Sequence, residues 1–286
     1  MTPSGARLAA VAAAVLFSTG GAAIKATTLT PWEVASFRSG IAAIAIFLML
    51  PGSRRRPDAA TLGVGLVYAA TMVLFVTANK LTTAANAIYL QSTAPLYILL
   101  AAPVLLRERV KKADVVFMGA LALGLATFFV GQEAPRGTAP NPPLGNVAAL
   151  SSGLTWAGTV MGLRWLGSRS SDPRSTQPSL VVGNVLACLL VLPFALPTTI
   201  GGADLAIVIG LGVVQIGLAY VCLSAGLSGV PALEASLLLL IEPVLNPVWA
   251  WVFHGEEPGP WALAGAAIIL AATVARTIYD WRASRG

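Results

Sequence analysis

The chain is a succession of long apolar runs separated by short polar or proline-rich connections. Ten runs can be marked, the first five at about Ala6–Ile24, Pro31–Leu50, Ala59–Ala78, Thr82–Leu106 and Ala113–Val130. The second five lie at about Leu144–Trp165, Pro178–Leu196, Ala203–Ala225, Val230–Phe253 and Pro260–Tyr279. Each is close to the ~20 apolar residues that a helix needs to cross a bilayer core. Lipid offers the backbone no hydrogen-bond partners, so runs this apolar are predicted as helices rather than open strands. Connections such as "PGSRRRPD", "QEAPRGTAPNPP" and "GSRSSDPRSTQP" are too short to hold a soluble domain. The pattern predicts an all-α integral membrane protein with ten transmembrane helices, here the first to tenth spans.

The ninth run departs from the pattern. Within "LLLLIEPVLNPVWAWVFHGEE", Leu237 to Glu257, a carboxylate, Glu242, stands beside Pro243, and Asn246-Pro247 follows four residues on. An ionised carboxylate at mid-helix costs about 2.5 to 3.5 kcal/mol on insertion scales, so Glu242 is expected to face protein or water. Two readings of it stand: a proton-coupling carboxylate, or a structural one that ties up a carbonyl freed by the prolines. Pro243 has no N–H and crowds the carbonyl of Leu239, and Pro247 does the same to Pro243. Both, with Pro95 in the fourth run, are expected to bend their helices.

Composition agrees with a membrane protein. The chain is 56% hydrophobic and 10% charged, where soluble domains run near a quarter charged. The first run lacks a convincing cleavage site and is expected to be a retained span. The net charge of +6 is unevenly placed: 14 of the 18 Lys and Arg fall on the amino-terminal side of the predicted membrane and 3 on the other, with Arg38 inside the second span. That bias predicts both termini in the cytoplasm, in a bacterial inner membrane. It also explains the positive charge by topology and not by a nucleic-acid partner. Cys188 and Cys222 lie apart in apolar runs and His254 is the sole histidine. No metal site, cofactor or catalytic constellation is expected, and no phosphate-binding glycine loop is present. The chain is not expected to be an enzyme.

The two halves repeat. "NAIYLQSTAPLYILLAAPVLLRER", from Asn86, aligns without a gap on "EASLLLLIEPVLNPVWAWVFHGEE", from Glu234. Ala87 meets Ala235, Leu90 meets Leu238, Pro95 meets Pro243 and Glu108 meets Glu256. The next runs share a Gly-Ala pair, Gly119-Ala120 and Gly265-Ala266, and Phe17 and Lys25 meet Trp156 and Arg164. Five spans per copy is an odd number, so the second copy must enter the bilayer from the opposite side. That is an inverted repeat, the plan of secondary transporters, with a substrate site near the midplane between the halves.

Candidate site residues follow from polar and aromatic groups near mid-span. Tyr68, Thr71 and Phe75 share one helical face of the third span, with Asn79 a turn further on. Tyr89 and Gln91 lie in the fourth span, Trp156 in the sixth, and Gln215 and Tyr220 in the eighth. Rings and amides of this kind suit an amphipathic solute, the rings by stacking and the amides by directed hydrogen bonds. Packing and interfacial roles are the alternative for the same residues. Lys25, Glu33 and Lys80 are expected to snorkel or pair near span ends. Arg38 is the deepest cation and is expected to have a partner. Trp249, Trp251 and Trp261 are expected in an interfacial belt.

The segment "LLLLIEPVLNPVWAWVFHGEEP" followed by "WALAGAAIIL", its first-half version "STAPLYILLAAPVLLRERV", and "PWEVASFRSGIAA" with Arg38 resemble the EamA repeat of the drug/metabolite transporter superfamily. The resemblance implies one such five-helix repeat over residues 1–131 and a second, inverted one over 144–286. The nearest likeness is to ten-helix exporters of the YddG type, which include aromatic amino-acid exporters. It implies export of small organic solutes, chiefly amino acids, by alternating access. It further implies a cavity lined by spans one, three, four, six, eight and nine, with a small molecule and membrane lipid as partners. A monomer is compatible with this plan. Export of another metabolite or a drug, and a scaffold or channel, are the other readings. The first copy departs from the pattern in having Ala94 where the second has Glu242. The first span also lacks the carboxylate used by four-helix drug exporters of the superfamily, which favours a facilitator over a proton antiporter.

Overall fold

A computed structural model of the chain describes residues 2–105, 112–130, 134–170, 172–227, 229–230 and 232–283. Among them the architecture is all-α, with only an isolated bridge between Arg136 and Ala139. Eight helical segments are long and apolar enough to cross a membrane: Ser4–Ala26, Pro31–Met49, Ala59–Leu81, Lys112–Val130, Arg174–Ala195, Gly202–Leu227, Leu237–His254 and Pro260–Tyr279. They coincide with eight of the ten apolar runs. The bundle's outer surface is apolar: Leu8, Ile44, Leu48, Val116, Phe194 and Phe253 are all largely exposed. A soluble protein rarely shows so continuous an apolar belt.

The remaining two runs differ in form. The fourth is split into α5 (Ala84–Gln91) and α6 (Ala94–Leu105), neither long enough alone to span. The sixth is α8 (Pro142–Ser168), a 27-residue helix that carries Asn146, Ser151, Ser152, Thr155, Thr159 and Arg164. The ninth run is split in the same manner into α12 (Ala232–Leu239) and α13 (Ile241–His254). The two interruptions fall at Ser92–Thr93 and at Leu240, just ahead of Pro95 and Pro243. The helices resume at Ala94 and Ile241, so Pro95 and Pro243 fall in a first turn, where a missing N–H costs no hydrogen bond within the helix. Pro247, by contrast, sits inside α13 without ending it.

The other helices are α1 (Pro3–Ser18), α2 (Gly20–Ala26), α3 (Pro31–Met49), α4 (Ala59–Leu81) and α7 (Lys112–Val130). They continue with α9 (Gln177–Ala195), α10 (Gly202–Gly210), α11 (Ala219–Leu227) and α14 (Pro260–Ala283). A π-helical turn, Leu211–Leu218, joins α10 to α11 in one span. Helix starts are set locally: Thr30 and Glu33 form a capping box, and Asp58, Thr83 and Asn141 cap α4, α5 and α8.

Packing runs mainly between the two halves of the chain. Helix α3 lies against α9, α4 against both α8 and α9, α1 against α11, α7 against α14, and α5 against α13. Small residues allow the close approaches. A side chain on Gly183 of α9 would collide with the Tyr68 ring of α4 and meet the carbonyl of Gly65 at 2.9 Å. Gly265 of α14 is pressed against Gly124 of α7, whereas Gly119, its partner in the sequence repeat, faces open space. That repeat match therefore does not mark a shared contact. Glu108, set by the repeat opposite Glu256, lies outside the described residues.

Candidate functional site

A hollow of about 240 Å³ lies inside the bundle, walled by α1, α3, α4, α5, α8, the π-helical turn, α11 and the α12–α13 break. Helix α4 gives it Tyr68, Thr71, Met72 and Phe75. The first three sequence candidates of that span do share a face, as their three- and four-residue spacing requires. Gln91 and Ser92 come from the end of α5, at the first break, and Leu239, Glu242 and Pro243 from the second. Trp156 of α8, Gln215 of the π turn and Tyr220 of α11 complete the predicted set. The structure thus brings together Tyr68, Thr71, Phe75, Gln91, Trp156, Gln215, Tyr220, Glu242 and Pro243.

Asn79, Tyr89, Pro95 and Pro247 are not in the wall. Asn79 is fully buried one turn beyond Phe75 and donates to the Phe75 carbonyl at 2.9 Å. Tyr89 is two positions from Gln91 on α5, nearly opposite around the helix, and packs on Phe128 with ring centroids 6.2 Å apart. The prolines shape the chain beside the hollow. Residues not singled out for the cavity include Phe17 and Arg38. Phe17 had only its repeat match to Trp156 to mark it, and both rings line the hollow.

The polar groups of the wall are partly committed. Gln91 Nε2 donates to Ser152 Oγ at 2.7 Å, and Gln215 Nε2 to the Phe17 carbonyl at 3.2 Å, with Gln215 Oε1 left without a partner. Phe17 meets Tyr220 edge-on at 5.2 Å, and Tyr220 meets Tyr68 edge-on at 6.3 Å. Such edge-to-face pairs hold rings in fixed orientation. Arg38 reaches the hollow from α3 and is 2% exposed. Among the described residues the expected charged partner for it is not found: Nη2 approaches the Met72 sulfur at 3.3 Å, while Nε and Nη1 have no acceptor. Glu242 is partly buried in the first turn of α13, and among the described residues no ion pair joins it to Arg38.

A second cavity adjoins the hollow through shared wall residues. A wider vestibule of about 880 Å³ shares Tyr220 and Leu223 with it and is bordered by Leu50, Gly52, Asp172 and Gln177. Asp172, outside the spans, is held below the usual carboxylate range by the Arg174 backbone N–H and the Arg55 guanidinium. Toward the other end lies a layer of buried bonds. Lys25 Nζ pairs with Glu256 Oε1 at 3.0 Å, both side chains at most 2% exposed. Lys25 also donates to the carbonyls of Thr82 at 2.8 Å and Thr138 at 2.5 Å, and Glu256 Oε2 accepts from the Ala84 N–H at 2.7 Å. Thr82 and Asn86 both donate to Asn146 Oδ1, and Lys80 to Thr27. Glu33 is taken up by its own helix cap and by the Thr198 hydroxyl. Of the predicted belt, Trp251 and Trp261 are exposed, but Trp249 is drawn in by a 2.9 Å bond to Ser18 Oγ.

A lipid-facing apolar exterior around a polar, aromatic hollow with a vestibule at one end defines a multi-pass integral membrane transporter. The profile of the EamA-like transporter family matches residues 5–130 and again 143–276. The chain belongs to that family. It is 26% identical over 280 residues to the pseudopaline exporter CntI of Pseudomonas aeruginosa, covering 94% of each chain. It is also 30% identical over 216 residues to an uncharacterised transporter of Archaeoglobus fulgidus, covering 76% of this chain and 75% of the other. A crystal structure at 19% identity superposes with a TM-score of 0.64, covering 97% of this chain and 99% of that one, which supports the fold.

Proposed function

We propose that the protein is a secondary carrier that exports small organic solutes, chiefly amino acids and aromatic ones among them as in YddG-type exporters, by alternating access. The observation that carries this reading is the hollow itself. It combines the rings of Phe17, Tyr68, Phe75, Trp156 and Tyr220 with the amides of Gln91 and Gln215 and two opposite charges. Rings accommodate an apolar side chain, and the polar groups suit an amino and a carboxyl group. Glu242 serves in this reading as the wall's negative charge, not as an obligatory proton carrier.

The carrier is read as ten spans in two inverted halves, residues 1–131 and 144–286. The family profile falls on the chain twice, in nearly those ranges. The interhelix contacts support a two-fold relation between the halves, which an odd number of spans in each makes an inversion. Exchanging each span with the one five places away turns the α4–α8 contact into that of α1 with α11, and the α4–α9 contact into that of α3 with the π-helical turn. The α3–α9, α7–α14 and α5–α13 contacts map onto themselves. Both helix breaks fall at the same place in the repeat, Ser92 matching Leu240. The excess of Lys and Arg at the vestibule end favours both termini in the cytoplasm of the inner membrane, so the vestibule opens inward.

Counterflow with the purified protein in liposomes tests the proposal. Preloaded phenylalanine is expected to drive uptake of labelled tracer, which a channel or scaffold does not support. Counterflow of a different metabolite with no amino acid accepted would replace the substrate and keep the carrier. The relative named for pseudopaline export favours that second reading, and makes other secreted metabolites the first alternatives to assay.

A further inference from the structure

Arg38 sits where a cation is costly, and among the described residues only the Met72 sulfur meets it. Its guanidinium is 2% exposed, in the wall of an otherwise largely aromatic and apolar hollow. Buried charged groups are as a rule paired and hydrogen-bonded. Yet Nε and Nη1 have no acceptor, and Nη2 reaches only a thioether sulfur, a weak one. Elsewhere in the bundle buried cations are saturated: Lys25 has Glu256 and two carbonyls, and Lys80 has the carbonyl and hydroxyl of Thr27. The fold therefore can satisfy a buried cation, yet it leaves Nε and Nη1 of this one, in the wall of the hollow, without an acceptor. The planar guanidinium matches carboxylates and phosphates bidentately, and a hollow that also carries Glu242 suits a singly charged carboxylate better than a phosphate.

We propose that Arg38 is the substrate's carboxylate-binding residue, so that solutes accepted in the hollow must carry a carboxylate. Tyr68, Phe75 and Tyr220 then receive the remainder of the molecule, and Glu242, on the same hollow and in no ion pair among the described residues, faces its ammonium group where it has one. This rests on the carrier reading above and gives it a chemical requirement.

The test is binding to purified wild-type protein, read by thermal stabilisation and by inhibition of counterflow. The probes are L-phenylalanine, 3-phenylpropionate, L-phenylalaninamide and phenethylamine. The first two are expected to bind and the last two, which lack a carboxylate, to bind about tenfold or more weakly. Arg38→Met, which removes the charge and keeps much of the volume, is expected to erase the difference between acid and amide. Arg38→Lys is expected to retain a reduced preference for the acids. Amide and amine binding as tightly as the acids in the wild type overturns the assignment without recourse to any variant. So does failure of every carboxylate to bind, or an undiminished acid preference in a folded Arg38→Met. Binding of 3-phenylpropionate through Arg38 with no amino acid accepted upholds it and removes the amino-acid reading instead.

Discussion

Trp156 supplies the largest ring of the cavity wall, so its removal separates recognition from folding. In Trp156→Ala the affinity for phenylalanine is expected to fall about three- to tenfold, the worth of one aromatic contact at roughly 0.5–1.5 kcal/mol, while alanine binding changes less. Isothermal titration in detergent measures both. Glu242→Gln keeps shape and removes charge. Downhill counterflow is expected to persist in it, and an imposed pH gradient to leave accumulation unchanged in wild type and variant alike. Loss of gradient-driven accumulation in the variant alone would make Glu242 the coupling group. At this scale the sequence was readable where spacing placed side chains on one face, as for Tyr68, Thr71 and Phe75. It was not readable for Asn79 and Tyr89, because mid-span depth says nothing about direction around the helix. For Arg38 the sequence showed an isolated cation in an apolar run, but only the packing shows that no carboxylate among the described residues meets it.

The broken helices depend on single residues. Pro243 lies in the first turn of α13, just after the break, and the hollow takes Leu239, Glu242 and Pro243 from that short stretch. Pro243→Ala restores the missing N–H and removes the ring, so the two helical pieces are expected to merge. Slower counterflow with unchanged or higher melting temperature checks this. The α4–α9 seam depends on Gly183, where any side chain enters the Tyr68 ring. Gly183→Ala is expected to destabilise the fold by about 1–3 kcal/mol through overpacking and to shift Tyr68 within the wall, seen as a lower melting temperature together with weaker substrate binding. Apolar run length located eight membrane-length helices directly. The fourth run was legible as a run but not as two helices, because hydropathy averages over a break that a proline imposes. The polar face of α8 is legible as serines and threonines, which read as packing or as site with equal ease.

For the molecule as a whole, the ion pair between Lys25 and Glu256 joins the first and last thirds of the chain in a dry layer beyond the cavity. Losing one member of a buried pair costs roughly 3–5 kcal/mol because the other charge remains uncompensated. Glu256→Gln is expected to depopulate the conformation described here. Cysteines placed near Thr83 should label faster with a membrane-impermeant maleimide, which reports opening of that end. The sequence placed Lys25 and Glu256 near the same side of the membrane by counting spans, but their pairing depends on how the halves dock. Because the two charges come from distant parts of the chain, neither terminal segment can neutralise its own during synthesis. Lys25 emerges from the ribosome long before Glu256, and until then the carbonyls of Thr82 and Thr138 are there to receive it. A chain cut short before Glu256 would hold that ammonium group by neutral acceptors, with its counter-charge missing.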